Sequence, residues 1–485
     1  MKISGLTVRI FSVLCLLLLS ACTVGPDYVR PTPLATMPPA YKELEGWKIA
    51  QPQDGKVPER WWEIYQDPVL NSLEQQVVTS NFTIASAEAQ FRQARAAVQA
   101  AKAGNFPSLS AGASASRSQR SGNIGVGGTT VSDFQIPLDA TWELDLWGRV
   151  RRGVEASQAA ALASAADLAA VTLSMQATLA GNYLQLRVLD AQKQLLDVTT
   201  AAYRKSLDLT KNRYAAGIVA KADLLQAETQ LRSTEAQTID LGVQRAQLEH
   251  AIALLIGKPP AAFSLPVTSL AAKVPYIPTG LPSEILERRP DIASSERRMA
   301  AANAQIGIAK AAYFPTIGLS ASAGLEASSL GSLLAWPSRF WSVGPKMSIP
   351  LFDGGLRDAQ TDQARAAYDA TVAGYRQTVL TAFQEVEDNL ALLRILKEEA
   401  QVQDQALQAA QQVVNITTNQ YQAGTVAYLN VLVAQTTALE NERTALGLVG
   451  RRLAASVLLV KALGGGWVSK TPTSPKIELL SNKKD

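Results

Sequence analysis

The chain has 485 residues, of which 47% are hydrophobic and 18% are charged, and its formal net charge is +4. This length allows several domains, and the composition excludes an intrinsically disordered protein, which would be poor in apolar residues. Basic and acidic residues are interspersed along the chain rather than gathered into a basic stripe. The charge pattern therefore gives no indication of nucleic acid binding.

The first 21 residues have the form of an export signal. Lys2 and Arg9 precede an apolar core over residues 10–19, and small residues follow it. The core is too short to span a bilayer, and no later stretch reaches about 18 to 20 uninterrupted apolar residues. We therefore predict that residues 1–21 are removed and that the mature chain contains no membrane-spanning helix.

The sequence Leu-Ser-Ala-Cys at 19–22 matches a bacterial lipobox, in which the cysteine receives lipid and becomes the new N-terminus. The alternative is an ordinary signal with a chance cysteine. The only other cysteine, Cys15, lies inside the signal, so the mature chain cannot form an intrachain disulfide. We predict that Cys22 carries covalent diacylglycerol and an N-acyl lipid, which tether the chain to a membrane. Thr23 is not aspartate, so the usual inner-membrane retention signal is absent.

The chain repeats itself at half its length. The stretch that begins at Asn212 recurs at Asn419, 207 positions later, and the stretch that begins at Ala103 recurs at Ala311, 208 positions later. Such self-similarity indicates a duplication. The predicted organisation is a signal peptide (1–21), a lipidated extended arm (22–65), a first repeat (66–257), a proline-rich linker (258–283), a second repeat (284–466) and a C-terminal tail (467–485).

Each repeat is predicted to contain a medium helix, two strands, one very long helix, a glycine turn and another medium helix. The pairs Asp67-Pro68 and Pro290-Asp291 are typical of helix starts. The long helices are expected over about residues 153–214 and 356–421, where apolar steps of three and four indicate coiled-coil seams. Abundant alanine beside the seams favours tight tubular packing over an isolated coiled coil.

The predicted strands alternate apolar and polar residues over about ten positions, which is enough to cross an outer-membrane bilayer when tilted. A soluble sandwich would show a similar alternation. Four strands with two open edges cannot lie alone in lipid, however, so a membrane sheet would require several chains to close a barrel. Aromatic residues near the strand ends are the candidates for an interfacial girdle: Phe106, Trp142, Phe314 and Trp341.

No catalytic or metal-binding constellation is indicated by the sequence. The only histidine, His250, follows Glu249 on an amphipathic helix, where a packed or solvated role is the ordinary one. A metal site would need clustered histidine or cysteine ligands. We therefore predict that the protein is not an enzyme and has no cofactor besides the lipid on Cys22.

Several motifs together resemble one family. They are CTVGPDYVRP (22–31), RRPDI (288–292), two Phe-Pro turns and two Tyr-x-Ala-Gly turns. The chain resembles the TolC-type outer membrane factors, in the lipoprotein (OprM-like, NodT) branch. The resemblance implies an α+β membrane channel, a homotrimer whose 12-stranded barrel takes four strands from each chain and continues into a periplasmic helical tunnel. It also implies a tripartite efflux system for drugs or solvents, with a periplasmic adaptor and an inner-membrane pump of the RND class.

In this family the glycine turns lie at the periplasmic tip, and acidic residues of the second repeat commonly ring the opening. The aligned segment here is LNVLVA (429–434), which lacks both carboxylates, so the resemblance implies no acidic ring. We hypothesise that apolar packing of Tyr428 and Leu429 closes the aperture, and that polar contacts of Asp223 and Asn430 support it. Ordinary helix packing is the alternative. The candidate gate residues are Lys221, Asp223, Tyr428, Leu429, Asn430 and Val433.

Two other functions remain open from the sequence. A periplasmic coiled-coil scaffold or adhesin would have the long helices but no membrane barrel. The outer-membrane duct of a type I protein secretion system would have the same architecture and would pass polypeptides.

Overall fold

The computed structural model describes residues 23–33, 40–43, 60–123, 128–270, 273–277 and 288–466. The predicted signal, Cys22 and the tail 467–485 lie outside the described residues, as do parts of the predicted arm and linker. The chain divides into two compact units, which are described separately. One unit contains Met1–Pro33, Gln90–Ala165 and Ser294–Arg376, and the other contains Leu34–Ala89, Ala166–Ala293 and Gln377–Asp485.

The order of elements repeats between the halves. The first half contains α1 (Pro68–Ser80), α2 (Phe82–Ala103), β1 (Ser108–Ala111), β2 (Ser114–Gln119), β3 (Thr130–Leu144), α3 (Arg149–Ala215) and α4 (Lys221–Leu255). The second half contains α5 (Pro290–Ala311), β4 (Thr316–Ala327), β5 (Arg339–Ser348), α6 (Leu356–Gln422) and α7 (Tyr428–Ala462). Helices α3 and α6 both have 67 residues, and α4 and α7 both have 35.

The two longest helices agree with the sequence-based prediction within a few residues. At about 1.5 Å per residue, a helix of 67 residues is roughly 100 Å long. The predicted seam of α6 is buried, since Val379, Val386 and Leu390 are each 0% exposed. Packing of this apolar stripe stabilises the helix, because most helical stability in proteins comes from tertiary packing of one face rather than from helical propensity.

Helix starts differ between the two repeats. Asp67 caps α1, and its carboxylate accepts hydrogen bonds from Val69 N at 2.8 Å and Leu70 N at 3.1 Å. The predicted medium helix of the first repeat is interrupted at Asn81, whose side-chain oxygen caps α2 and whose amide donates to Leu255 O at 2.8 Å. Pro290 does begin a helix, but α5 aligns with α2 and not with α1.

Helix α1 carries a buried acid in the second unit. Glu74 is 0% exposed, and neither of its carboxyl oxygens has a hydrogen-bond partner among the described residues. Burial raises the pKa of Glu74 to about 9, because an unpaired carboxylate is poorly solvated there. The side chain is therefore protonated at neutral pH.

The sheet lies in the first unit and is antiparallel throughout. Strands β1 and β2 both pair with β3, which pairs with β4, which pairs with β5. The first predicted strand is broken at Gly112, whose amide still donates to Pro137 O at 3.0 Å, so five strands occupy four positions. Within the described residues the four-position sheet has two edges without a further partner strand, one at β1 and β2 and the other at β5.

Candidate functional site

The two long helices end in equivalent glycine turns, both in the second unit. Gly217 follows α3 with a φ of +72°, and Gly424 follows α6 with a φ of +76°. This left-handed conformation favours glycine and lets a following amide bond back to the helix. In the first turn Ile218 N donates to Arg213 O at 2.9 Å. Each turn reverses the chain into a 35-residue helix, so each repeat ends in a helical hairpin.

An apolar cluster joins the ends of the two hairpins, and we call it the tip cluster. Tyr421 and Tyr428 are 4% and 1% exposed, and their rings meet edge to face with centroids 5.5 Å apart. Burial raises the pKa of the Tyr428 hydroxyl, as expected for a phenol removed from water. Residues of both repeats form the tip cluster: Tyr203, Leu207, Ala227 and Leu231 from the first, and Tyr421, Tyr428 and Val431 from the second.

Arg213 connects the first hairpin to the end of α6. Its Nη1 donates to Tyr421 O at 2.9 Å and its Nη2 to Gln422 O at 2.8 Å, and its guanidinium lies 4.7 Å from the centre of the Tyr421 ring. The last carbonyls of a helix lack intrahelical partners and carry the negative end of its dipole. Arg213 therefore satisfies both the hydrogen bonding and the charge of that terminus. The aligned residue of the second repeat is Gln420, which has no charge.

The predicted gate residues of the first repeat lie at the start of α4. Lys221 is exposed, and Asp223 is partly buried. The Asp223 carboxylate accepts a hydrogen bond from Ala220 N at 3.3 Å, as an acid in the first turn of a helix commonly does. Asp223 thus stabilises its own turn, and among the described residues it forms no hydrogen bond with Asn430.

The predicted gate residues of the second repeat divide between the interior and the surface. Leu429 and Val433 are 49% and 58% exposed, and with Asn430 they line a shallow apolar groove of about 370 Å³ between α6 and α7. Tyr428 is buried in the tip cluster, so it cannot line an opening in this conformation. The hypothesis that packing of Tyr428 and Leu429 closes the aperture stays a prediction. In this structure Tyr428 packs between the repeats, and Leu429 is exposed in the groove.

Sequence reasoning missed Arg213, Tyr421 and Tyr203. A signal for Arg213 was available, because arginine aligns with glutamine within otherwise similar turns. No sequence pattern showed that the end of α3 lies beside the end of α6, which is a contact between residues 208 positions apart.

The sheet separates apolar from polar residues by face. Opposite residues on paired strands share a face, and Ile136 lies opposite Leu325 whereas Asp139 lies opposite Ser322. The candidate girdle residues are exposed at 70% for Phe106, 37% for Trp142 and 78% for Trp341. The fourth, Phe314, is half-buried and stacks on Trp147 with ring centroids 4.8 Å apart.

The segment after Cys22 is attached to the first unit where β3 leads into α3. Val24 N donates to Trp147 O at 3.1 Å, and the Trp147 ring nitrogen donates to Pro315 O at 2.7 Å. Farther along the segment, Asp27 pairs with Arg152 at 2.9 Å. These contacts place the residues that directly follow Cys22 beside the aromatic residues at the end of the sheet.

Within the described part of the chain no group of three or more histidine, cysteine or acidic residues could hold a metal ion. One described helix, α3, is long and apolar enough to cross a membrane by length and composition. A single helix of this kind is weak evidence for a span, because core helices of soluble proteins pass the same test.

Comparison with known proteins identifies the architecture. The family described as Outer membrane efflux protein matches residues 73–258 and again 281–465. The chain belongs to this family. It is 32% identical over 462 residues to the Toluene efflux pump outer membrane protein TtgC of Pseudomonas putida, covering 94% of each chain. It is also 31% identical to the Cation efflux system protein CusC of Escherichia coli O6:H1, covering 93% of this chain and 97% of that one.

Solved structures agree with this assignment. The outer-membrane channel OprN superimposes with a TM-score of 0.86 and 31% identity, over 92% of this chain and 100% of that one. The predicted fold class is confirmed: the chain is the duplicated α+β subunit of a trimeric outer membrane channel with a periplasmic helical tunnel. The predicted function is also confirmed, since the protein is an efflux channel and not an enzyme.

Proposed function

We propose that three copies of this chain form the passive duct through which a tripartite pump expels drugs and solvents. A periplasmic adaptor would join the duct to an inner-membrane pump of the RND class. The observation that carries the proposal is the pair of equivalent hairpins, each made of a 67-residue and a 35-residue helix and tied to each other at the tip. The similarity to a toluene efflux protein supports the choice of small organic cargo.

Within this proposal the tip works as a gate with separate parts. The tip cluster and the two hydrogen bonds donated by Arg213 hold the hairpins of one chain together. The exposed side chains of Leu429, Asn430 and Val433 then form the surface that narrows the aperture. An adaptor opens the duct by binding the splayed arrangement of hairpins more tightly than the closed one.

Lipidation of Cys22 is part of the same proposal. The contact of Val24 with Trp147 supports it, because acyl chains on Cys22 would start next to the boundary between the sheet and the helices. That boundary faces the inner leaflet of the outer membrane. Mass spectrometry of the purified protein should give the mass of a triacylated N-terminal peptide. An unmodified peptide that begins at residue 22 or earlier would reject the lipid anchor.

A deletion strain tests the export function. We expect it to become several-fold more sensitive to hydrophobic antibiotics and solvents, and expression of the intact gene from a plasmid should restore resistance. Crosslinking in living cells should recover an adaptor with the channel. Unchanged sensitivity to every compound, with loss of a secreted polypeptide from the medium, would replace this proposal with type I protein secretion.

A further inference from the structure

The far end of the sheet carries cations on the face that should contact lipid. Ala115 of β2 lies opposite Phe134, which places Arg117, two residues later, on the same apolar face opposite Ser132. On β5, Arg339 lies opposite Leu325, on the face that also carries Trp341 and Val343. Both arginines are exposed, and neither forms an ion pair among the described residues.

Acidic residues at this end of the sheet point to the other face. Asp133 lies opposite Ser116 and Glu326 lies opposite Gln135, so both alternate away from the arginines. Asp133 also accepts a hydrogen bond from Gln135 Nε2 at 2.8 Å. The lipid-facing side of the described sheet therefore carries positive charge without compensating acids, whereas the lumenal side carries the acids.

The two arginines lie near the ends of the strands, away from the helices. Arg339 is the first residue of β5, and Arg117 lies near the end of β2, beside the hairpin connections. Because the helices form the periplasmic tunnel, these connections lie on the outer side of the membrane. An arginine on a lipid-facing strand is costly at the middle of the bilayer and costs little near its surface. Both residues thus lie at the level of outer-leaflet headgroups.

The neighbourhood of Arg339 also suits the apolar part of a lipid. Its guanidinium stacks on the Trp336 ring, 3.0 Å from the ring centre, and Trp336 is itself 74% exposed. Leu334 and Leu330, in the same connection between β4 and β5, are 81% and 69% exposed. A guanidinium recognises phosphate through parallel N–H donors, and exposed leucine and tryptophan side chains accept acyl chains.

Closure of the trimer brings the two arginines into one region. Strand β5 has no second partner within the described chain, and neither do β1 and β2. In a closed antiparallel barrel the β5 edge of one copy therefore pairs with the β1 and β2 edge of the next. Arg339 of one copy and Arg117 of the adjacent copy then lie near each other at the outer end of this junction between copies, which we call a seam. Each trimer has three such seams.

We propose that each seam binds one phosphorylated glycolipid of the lipid A class from the outer leaflet. Arg117 and Arg339 contact its phosphate groups, and Trp336, Leu334 and Leu330 contact its acyl chains. The site depends on the barrel and not on the exported compounds, so its test is independent of the efflux proposal. The bound lipid would contact two adjacent chains on the outer surface of the barrel.

Binding of lipids to the purified, delipidated full-length trimer tests the site by native mass spectrometry. The lipids are bisphosphorylated lipid A, dephosphorylated lipid A and phosphatidylglycerol. We expect three tightly bound lipid A molecules per trimer. The double variant Arg117→Gln/Arg339→Gln should bind lipid A at least tenfold more weakly, and dephosphorylated lipid A should bind the native protein equally weakly. Arg339→Lys should bind lipid A with an affinity between those of the native protein and the double variant, because lysine keeps the positive charge but lacks the planar guanidinium.

Lys346→Gln is the matched control, since Lys346 is a cation on the opposite face of β5, across from Gly318. It should bind lipid A as the native protein does. If the double variant does not assemble, the two single variants are compared in its place. Equal lipid A binding by native and arginine variants would overturn the site, as would an equal loss in Lys346→Gln. Equally tight, arginine-dependent binding of phosphatidylglycerol would reject the assignment to lipid A.

Discussion

The two glycine turns have nearly the same sequence and backbone but different surroundings. In the second repeat, Tyr421 and Tyr428 are buried in the tip cluster, and α6 ends on the guanidinium of Arg213. In the first repeat the residue aligned with Tyr421 is Tyr214, which is 41% exposed, and the residue aligned with Tyr428 is Lys221. The duplication thus preserved the helical hairpin and changed its contacts. The second turn packs against the first, and the first keeps a polar, open surface.

Among these variants, removal of the Tyr428 ring should reduce the free energy of unfolding most. Tyr428→Ala takes a 1% exposed aromatic side chain out of the tip cluster. Losses of this kind cost about 3 to 5 kcal/mol of unfolding free energy. The aligned substitution Lys221→Ala removes an exposed side chain and should change the unfolding free energy by no more than about 0.5 kcal/mol. Urea unfolding of the detergent-solubilised trimer measures both, and equal effects at the two positions would contradict the difference between the turns.

The next effect concerns α1, which has no described counterpart in the second repeat. Its buried Glu74 has a pKa raised to about 9, so folding takes up a proton and stability falls as pH rises from about 4.5 to 9. At about 1.4 kcal/mol per pH unit, the loss reaches roughly 3 kcal/mol by pH 7. Glu74→Met should remove this part of the pH dependence and raise the melting temperature more at pH 8 than at pH 5.

The control for Glu74→Met is Glu88→Met, which removes an exposed acid from α2. It should change the melting temperature little and equally at both pH values. If stability changes between pH 5 and pH 8 by the same amount in the native protein and in Glu74→Met, Glu74 is not buried in its neutral form.

A smaller effect is expected from the residue that connects the turns. Arg213→Gln introduces the amino acid of the second repeat and removes two hydrogen bonds to helix-terminal carbonyls together with the contact on Tyr421. The expected loss is about 2 kcal/mol. Backbone amides of residues 419–427 should exchange hydrogen up to roughly thirtyfold faster, with the rest of α6 unchanged. Gln420→Ala serves as the control. An equal increase in hydrogen exchange of residues 419–427 in this variant would argue against Arg213 as the connecting residue.

The smallest effect on stability should come from Leu429→Ala, which introduces the aligned Ala222 of the first repeat. Leu429 is 49% exposed, so the unfolding free energy should change by no more than about 0.5 kcal/mol. If its side chain narrows the aperture, single-channel conductance should nevertheless rise. Unchanged conductance would remove Leu429 from the constriction and leave the tip contacts as the barrier.

Much of the fold could be predicted from the sequence because its signals are local or repeated. The Asp67-Pro68 start follows from capping chemistry, and the equal lengths of α3 and α6 follow from the repeated glycine turns. The break at Asn81 could not be predicted, because its side chain needs Leu255 O as a distant partner. Burial of Tyr428 could not be predicted either, since an apolar residue at that spacing is compatible with a position facing the lumen and with a packed interface.

Single-channel conductance of Arg213→Gln beside Gln420→Ala tests the difference between the two turns most directly. If contacts made by the first repeat keep the second-repeat turn in place, Arg213→Gln should increase the conductance of the reconstituted trimer, and Gln420→Ala should match the native protein. An unchanged conductance in Arg213→Gln, or an equal increase in Gln420→Ala, would contradict this account.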